Sequence, residues 1–237
     1  MEIFTELWTG GPRFAQSEHF RLGTDSVLLA DFVRLNGAKR GADLGCGSGI
    51  LALLLLERSE TLHMTGVEVL PEAAALAERN LAANGLSERC RVLCGDLRDK
   101  GSLPAGSFDL VVANPPYYPL GSGAISPKPG RDAARGELSC TLDELCGTAA
   151  WLCRTGGSFS LVYKPERLSE LFCRLSAHGL EPKRLRMVCH RAESEPSLIL
   201  VEARRGGKPG LRVEPALILC TPEGKETEEY RRIYHRS

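Results

Sequence analysis

The chain has 237 residues, 43% of them apolar, and its 30 basic and 30 acidic side chains leave no formal net charge. Such a length and composition suit one large α/β domain with a substantial core and leave little room for a second. No window approaches roughly eighteen uninterrupted apolar residues, and the opening Met-Glu-Ile-Phe-Thr-Glu has neither a basic stretch nor an apolar run, which argues against a membrane span or a secretory leader. Nine scattered cysteines show neither C-x-x-C metal spacing nor a compact disulfide pattern, so reduced cytoplasmic thiols and no metal centre are expected.

In chain order, the first expected helix carries Val27-Leu28-Leu29-Ala30, with Thr24 or Asp25 as its N-cap. Then Ala42-Asp43-Leu44-Gly45-Cys46-Gly47-Ser48-Gly49 runs into Ile50-Leu51-Ala52-Leu53-Leu54-Leu55-Leu56, which reads as strand, glycine turn and buried helix. Gly45, Gly47 and Gly49 allow a ligand close to the backbone, and their G-x-G-x-G spacing is one residue shorter than a dinucleotide-binding turn. Asp43 would repel a diphosphate but suit a cation, and S-adenosylmethionine carries both a sulfonium and an ammonium. Cys46 sits inside the turn, where it is read as a small packing residue in reach of the cofactor.

A second strand over 64–69 ends near Glu68, placed to bind ribose hydroxyls, and an alanine-rich helix over 71–84 follows, opened by Pro71 and closed by Gly85. A third strand over 90–96 ends in Asp96, a candidate acceptor for the cofactor's adenine amine. The fourth, Val111-Val112-Ala113, runs into Asn114-Pro115-Pro116-Tyr117. Parallel strands put their carboxyl ends on one sheet edge, so Asp43, Glu68, Asp96 and Asn114 should converge there. A glycine turn or a proline turn alone also reads as plain structure; the agreement of all four positions is what points to a site.

The chemistry of the fourth turn is specific. The lone pair of an exocyclic adenine amine or a carboxamide is delocalised and poorly nucleophilic. If the Asn114 side-chain oxygen and the Pro115 carbonyl each accept one N–H, that nitrogen is pushed toward tetrahedral geometry with its lone pair outward, and no strong base is required. Pro115 and Pro116 lack N–H donors and stiffen the turn, while the Tyr117 ring offers a face for a base extruded from its stack.

Residues 119–135, rich in proline and glycine and carrying Lys128, Arg131 and Arg135, read as a substrate-ordered lid. A helix over 141–154, a strand over 158–163, a helix over 165–178 and strands over 184–188 and 198–202 complete a doubly wound, mostly parallel sheet of seven strands, the last antiparallel. Charge is uneven: residues 38–118 hold eight basic against ten acidic side chains, whereas 181–212 hold eight against four. Lys183, Arg184, Arg186, Arg204, Arg205, Lys208 and Arg212, with Arg231, Arg232 and Arg236, are candidates for a phosphate-binding RNA face.

These motifs resemble the class I S-adenosylmethionine-dependent methyltransferases with an N-P-P-Y loop. The stretch from Phe14 to Val33 is similar to the entry segment of the bacterial tRNA adenine N6-methyltransferases that modify the adenine beside the anticodon of a valine tRNA. That resemblance implies a Rossmann-like fold, a cofactor-covering segment over 1–35 before a methyltransferase domain over 36–237, Thr24 beside the methionine end of the cofactor, and RNA, most of all tRNA, as partner. It extends through Ser197-Leu-Ile-Leu-Val-Glu202 and Pro215-Ala-Leu-Ile-Leu219. One departure is Ala134-Arg135-Gly136-Glu137, where the family usually has histidine at the glycine position. The alternatives are a protein glutamine methyltransferase, for which only 42 residues precede Asp43; a ribosomal RNA or DNA base methyltransferase; and an inactive cofactor-binding RNA scaffold.

Overall fold

Alternating short apolar strands and helices wind the chain around one central sheet, in a computed structural model that describes residues 3–16, 23–116 and 140–236. A hairpin of β1 (Phe4–Glu6) and β2 (Arg13–Ala15) precedes α1 (Thr24–Phe32). Next come β3 (Arg40–Leu44), α2 (Ile50–Glu57), β4 (His63–Glu68), α3 (Pro71–Ala82), β5 (Cys90–Cys94) and β6 (Phe108–Ala113). The remaining elements are α4 (Leu142–Leu152), β7 (Cys153–Tyr163), α5 (Leu168–Ala177), β8 (Leu180–Cys189), β9 (Pro196–Arg205), β10 (Arg212–Ile218) and α6 (Glu228–Ile233). Tyr117 and the whole expected lid, with Lys128, Arg131 and Arg135, lie outside the described residues.

The main sheet has eight strands in the order β10-β8-β9-β7-β6-β3-β4-β5. Strand β9 runs antiparallel to β7 and β8 while every other pairing is parallel, so the seventh expected strand is indeed the reversed one. The eighth, β10, was not expected as a strand. It pairs with β8 at the sheet edge, and its register shifts between Glu214 and Leu217, which accommodates Pro215 where proline is tolerated in a sheet.

Strand parity explains the core. On β6, Leu110 and Val112 join a cluster with α1 and α2, while Val111 and Ala113 join the opposite cluster with α4 and α5. A strand covered on both faces reads as a continuous apolar run. Helix α2 is buried from Ile50 through Leu56 because it is apolar on every side and lies within the first cluster. Thr141 opens α4 with a capping box: its hydroxyl accepts from Glu144 N–H at 3.2 Å and Glu144 Oε2 accepts from Thr141 N–H at 2.7 Å.

Two tethers bring both chain ends onto this scaffold. Asn80 of α3 and Asn84, two residues past its end, act as a substitute strand edge for β2. Asn80 accepts from Ala15 N–H at 2.7 Å and donates to Ala15 O at 3.1 Å; Asn84 makes the same pair with Arg13 at 2.8 and 2.7 Å. At the other end, the His235 ring stacks on Trp8 at 4.0 Å and Arg232 grips Asp31 of α1 through two hydrogen bonds of 2.9 and 3.1 Å.

Candidate active site

Sheet order reverses between β3 and β6, and a crevice opens outside the carboxyl ends of strands at such a point. Leu44 pairs with Ala113 in register, so the glycine turn and Asn114 leave adjacent strands side by side, roughly 5 Å apart at ordinary strand spacing. Leu44 also pairs with Val67, and Glu68 with Cys94. Asp43, Glu68, Asp96 and Asn114 therefore share one edge, as expected.

The glycine turn is held from β4. Gly45 and Cys46 both donate their N–H to Val67 O, at 2.9 and 3.0 Å, and Gly47 donates to Glu68 Oε2 at 2.9 Å. All three glycines have positive φ, and a Cβ at Gly45 or Gly47 would meet no atom within 4 Å. The turn thus leaves open space along its outer side. At Gly49 the reason differs, because a Cβ there would lie 3.0 Å from Ala77 Cβ and push α2 off α3. Cys46 points away from the open side: a Cβ on Gly66 would come within 2.7 Å of its Sγ, and burial pushes its thiol well above the ordinary range. It is a packing residue in chemical terms.

Two buried carboxylates lie beneath the turn. Glu68 accepts from Gly47 N–H and, through Oε1, from Leu70 N–H at 2.9 Å. Asp43 is 1% exposed and its Oδ2 has no hydrogen-bond partner among the described residues. Burial drives the Asp43 carboxyl up to about 7, opposed by the Ala52 N–H at the start of α2 and reinforced by the Glu68 charge. A buried, unsatisfied acid beside a second one is a cup for a cation with N–H donors, and it is hostile to a diphosphate.

Gly45, Glu68 and Asp96 line one cavity with Val69, Leu97 and Cys140, three positions that sequence patterning did not single out. Val69 and Leu97 directly follow residues that it did, and strand-end apolar residues flanking an acid are the signal that could have found them. Asp96 is not a bare acceptor. Arg98 holds it through a guanidinium contact at 2.9 Å and a backbone N–H at 2.8 Å, and that pairing keeps its carboxyl below the ordinary range.

Beyond β6, Asn114 Nδ2 donates to Ser26 Oγ of α1 at 2.9 Å. Ser26 is buried and was not anticipated. Pro115 and Pro116 line a neighbouring cleft of about 430 Å³ that also exposes Tyr163, Arg167 and Arg174. Thr24 begins α1, where its side chain bonds Tyr234 from the end of α6; the N-cap itself is Gly23 and provides no side-chain bond.

The C-terminal basic residues are placed differently from the expected RNA face. Arg184 is buried between Glu202 at 2.6 Å and Glu214 at 3.0 Å, Arg186 pairs with Glu229, Arg232 with Asp31, and Arg236 with Glu226. Lys183 donates to Lys208 O at 2.9 Å, and Arg205 to His178 O. Arg204 and Arg205 are not brought to the site. Ile199 pairs with Tyr163 at the carboxyl end of β7, and β9 runs antiparallel from there, so Arg204 lies about 16 Å away toward the opposite sheet edge. Among the described residues no group of three or more His, Cys, Asp or Glu side chains is arranged to hold a metal ion, and no helix is long and apolar enough to cross a membrane.

The crevice and sheet order are those of a class I methyltransferase. Solved structures agree on the fold: a predicted O-methyltransferase from Agrobacterium tumefaciens superposes with a TM-score of 0.73 over 90% of this chain and 96% of that one at 23% identity. A geranyl diphosphate C-methyltransferase from Streptomyces coelicolor in complex with S-adenosyl-L-homocysteine gives 0.52 over 70% and 71% at 13% identity. The methyltransferase small domain model matches residues 17–123. The chain thus has a class I methyltransferase fold and carries the methyltransferase small domain.

Its relatives are more particular. A tRNA1(Val) (adenine(37)-N6)-methyltransferase from Tolumonas auensis is 33% identical over 89% of this chain and 86% of its own length, and the protein of that name from Escherichia coli O157:H7 is 36% identical over 66% and 63%. The chain belongs to the tRNA1(Val) (adenine(37)-N6)-methyltransferase family.

Proposed function

We propose that this chain transfers a methyl group from S-adenosylmethionine to the exocyclic N6 of adenine 37 in a valine tRNA. The observation that carries the reading is the placement of the Asn114-Pro115-Pro116 turn beside the glycine turn, at the crevice of a family named for that reaction. When bound, the cofactor supplies an electrophilic methyl on a sulfonium.

The protein's part is binding and orientation. The Asp43 carboxylate, with its unsatisfied Oδ2, attracts the cofactor's ammonium, and Glu68 keeps acceptor capacity for ribose hydroxyls beyond its two backbone donors. Asp96 takes the cofactor's adenine amine by sharing or exchanging its exposed Arg98 partner, an ion pair that costs little to rearrange. Asn114 Oδ1 and the Pro115 carbonyl accept the two N6 hydrogens of the target base. That leaves the nitrogen lone pair facing the methyl, and the extra proton goes to water after transfer. The base lies against Tyr117.

The segment over 1–35 serves as a cover for the cofactor. Its support is the Asn80 amide, which binds Ala15 and also donates to Ser48 O of the glycine turn at 3.0 Å. Lys128, Arg131 and Arg135 in the segment after the turn are candidate tRNA contacts, and the enzyme acts in the cytoplasm, where tRNA is modified.

Valine tRNA transcripts with adenine or guanine at position 37, incubated with labelled S-adenosylmethionine and digested to nucleosides, test the reading. N6-methyladenosine from the first transcript and no label in the second is the expected result. Equal labelling of both would reject position 37, and label confined to glutamine residues of added protein would reject the nucleic acid.

A further inference from the structure

We infer that Ser26 is a positioning residue that anchors the Nδ2 end of the Asn114 amide and so leaves Oδ1 to the target nitrogen, and that α1 is the mount that holds it. The inference rests on the reading of Asn114 given above. A carboxamide has an oxygen end and an NH2 end of nearly the same shape, so rotation by half a turn about its last bond exchanges an acceptor for a donor. Only the acceptor end suits an amine whose hydrogens must be drawn away from its lone pair. A flipped Asn114 would present N–H groups to the target's own N–H groups, or engage the lone pair that has to stay exposed. With Oδ1 given to the target, the Nδ2 end needs an acceptor of its own.

Ser26 Oγ is that acceptor: it accepts from Asn114 Nδ2 at 2.9 Å, between residues 88 apart in the chain. Ser26 is 6% exposed, in a helix whose next residues, Val27, Leu28, Leu29 and Ala30, are all buried apolar groups. A polar group in such surroundings is costly unless hydrogen-bonded, so the contact with Asn114 is built in. The mount is clamped from several elements. Arg58 donates to Ala30 O and, at 2.9 Å, to Val33 O; Arg184 donates to Phe32 O at 3.3 Å; Arg232 holds Asp31. These contacts fix the far end of α1 to α2, β8 and α6. They anchor the helix that carries Ser26, so the hydroxyl can hold the amide before the base arrives.

The test is steady-state turnover and cofactor binding in Ser26→Ala, Ser26→Cys and Ser26→Thr, beside Asn114→Ala. Loss of one hydrogen bond that orients the amide lowers kcat about tenfold in Ser26→Ala, with cofactor affinity and melting midpoint at wild-type values. Ser26→Cys, close in shape but a weak acceptor, matches alanine, whereas Ser26→Thr keeps the hydroxyl and recovers most of kcat. Wild-type kcat in both Ser26→Ala and Ser26→Cys, with Asn114→Ala inactive, would overturn the inference alone. A fall in kcat that tracks a fall in cofactor affinity or melting midpoint would also overturn it, since the hydroxyl would then serve the fold. Full turnover in Asn114→Ala would overturn the reading of the turn and this inference with it.

Discussion

The carboxyl edge of the sheet and its three C-terminal strands both concentrate charge, yet they use it in opposite ways. At the carboxyl edge, Asp43 is buried with an oxygen left unsatisfied and two acids lie close together without a fixed cation. Across β8, β9 and β10, Arg184 sits between Glu202 and Glu214, packs over the Phe32 ring at 4.1 Å, and donates to a helix carbonyl. One region retains unspent binding capacity and the other has spent it on cross-bracing. A run of basic residues in a sequence therefore does not locate a nucleic-acid face; what matters is which charges the fold leaves without a partner of its own.

Breaking the braced region should give the largest loss of stability. Arg184→Ala strands the buried Glu202 carboxylate, while Glu214 keeps Arg34, and is expected to cost about 3–5 kcal/mol, read as a fall in the denaturant midpoint, while the folded fraction keeps its turnover. At the other region Asp43→Asn keeps the shape and removes the charge. Cofactor affinity should fall on the order of tenfold or more by calorimetry, with no loss of melting temperature in the cofactor-free protein. A simultaneous collapse of the fold would show that Asp43 braces instead of binds.

The acid also sets a pH dependence. Its folded-state value, about 7, lies above the ordinary 3.8. Its contribution to stability is therefore complete below the unfolded value and is lost as pH rises through about 7. The cofactor-free protein should melt at lower temperature as pH rises from about 4 to 7. A cation beside Asp43 favours the ionised form, so cofactor affinity should rise over that interval, and opposite slopes in the two titrations are the signature. The smallest effect is expected at Arg204, exposed and far from the crevice. Arg204→Ala should change the KM for tRNA by no more than about twofold, and a large rise would extend the RNA face to the opposite sheet edge.

The parts of the site that lie within a few residues of one another in the chain are legible in the sequence. Gly45, Gly47 and Gly49 declare a turn with positive φ, and Glu68, Asp96 and Asn114 each follow an apolar strand, so parallel topology alone gathers them. Ser26 is not legible, because its tie to Asn114 joins a helix start to a strand end across three intervening sheet strands and two α-helices in sequence. Asn80 is hidden for the same reason: an amide inside an alanine-rich helix carries no sign that it will bind Ala15 and Ser48. The pairing of the arginines is not legible because β9 inserts between β7 and β8, which brings Glu202 to Arg184 and turns Arg204 toward the far edge. Strand β10 escapes notice because Pro215 interrupts its alternation.

The most direct measurement of the central claim is methyl transfer to valine tRNA by Asn114→Ala, with cofactor affinity determined on the same sample. The account predicts turnover lowered on the order of a thousandfold with affinity for S-adenosylmethionine close to that of the unaltered protein. Normal turnover would contradict it by showing that the turn after β6 does not hold the reacting nitrogen, and a loss of cofactor binding equal to the loss of turnover would contradict it by making Asn114 part of the cofactor site alone.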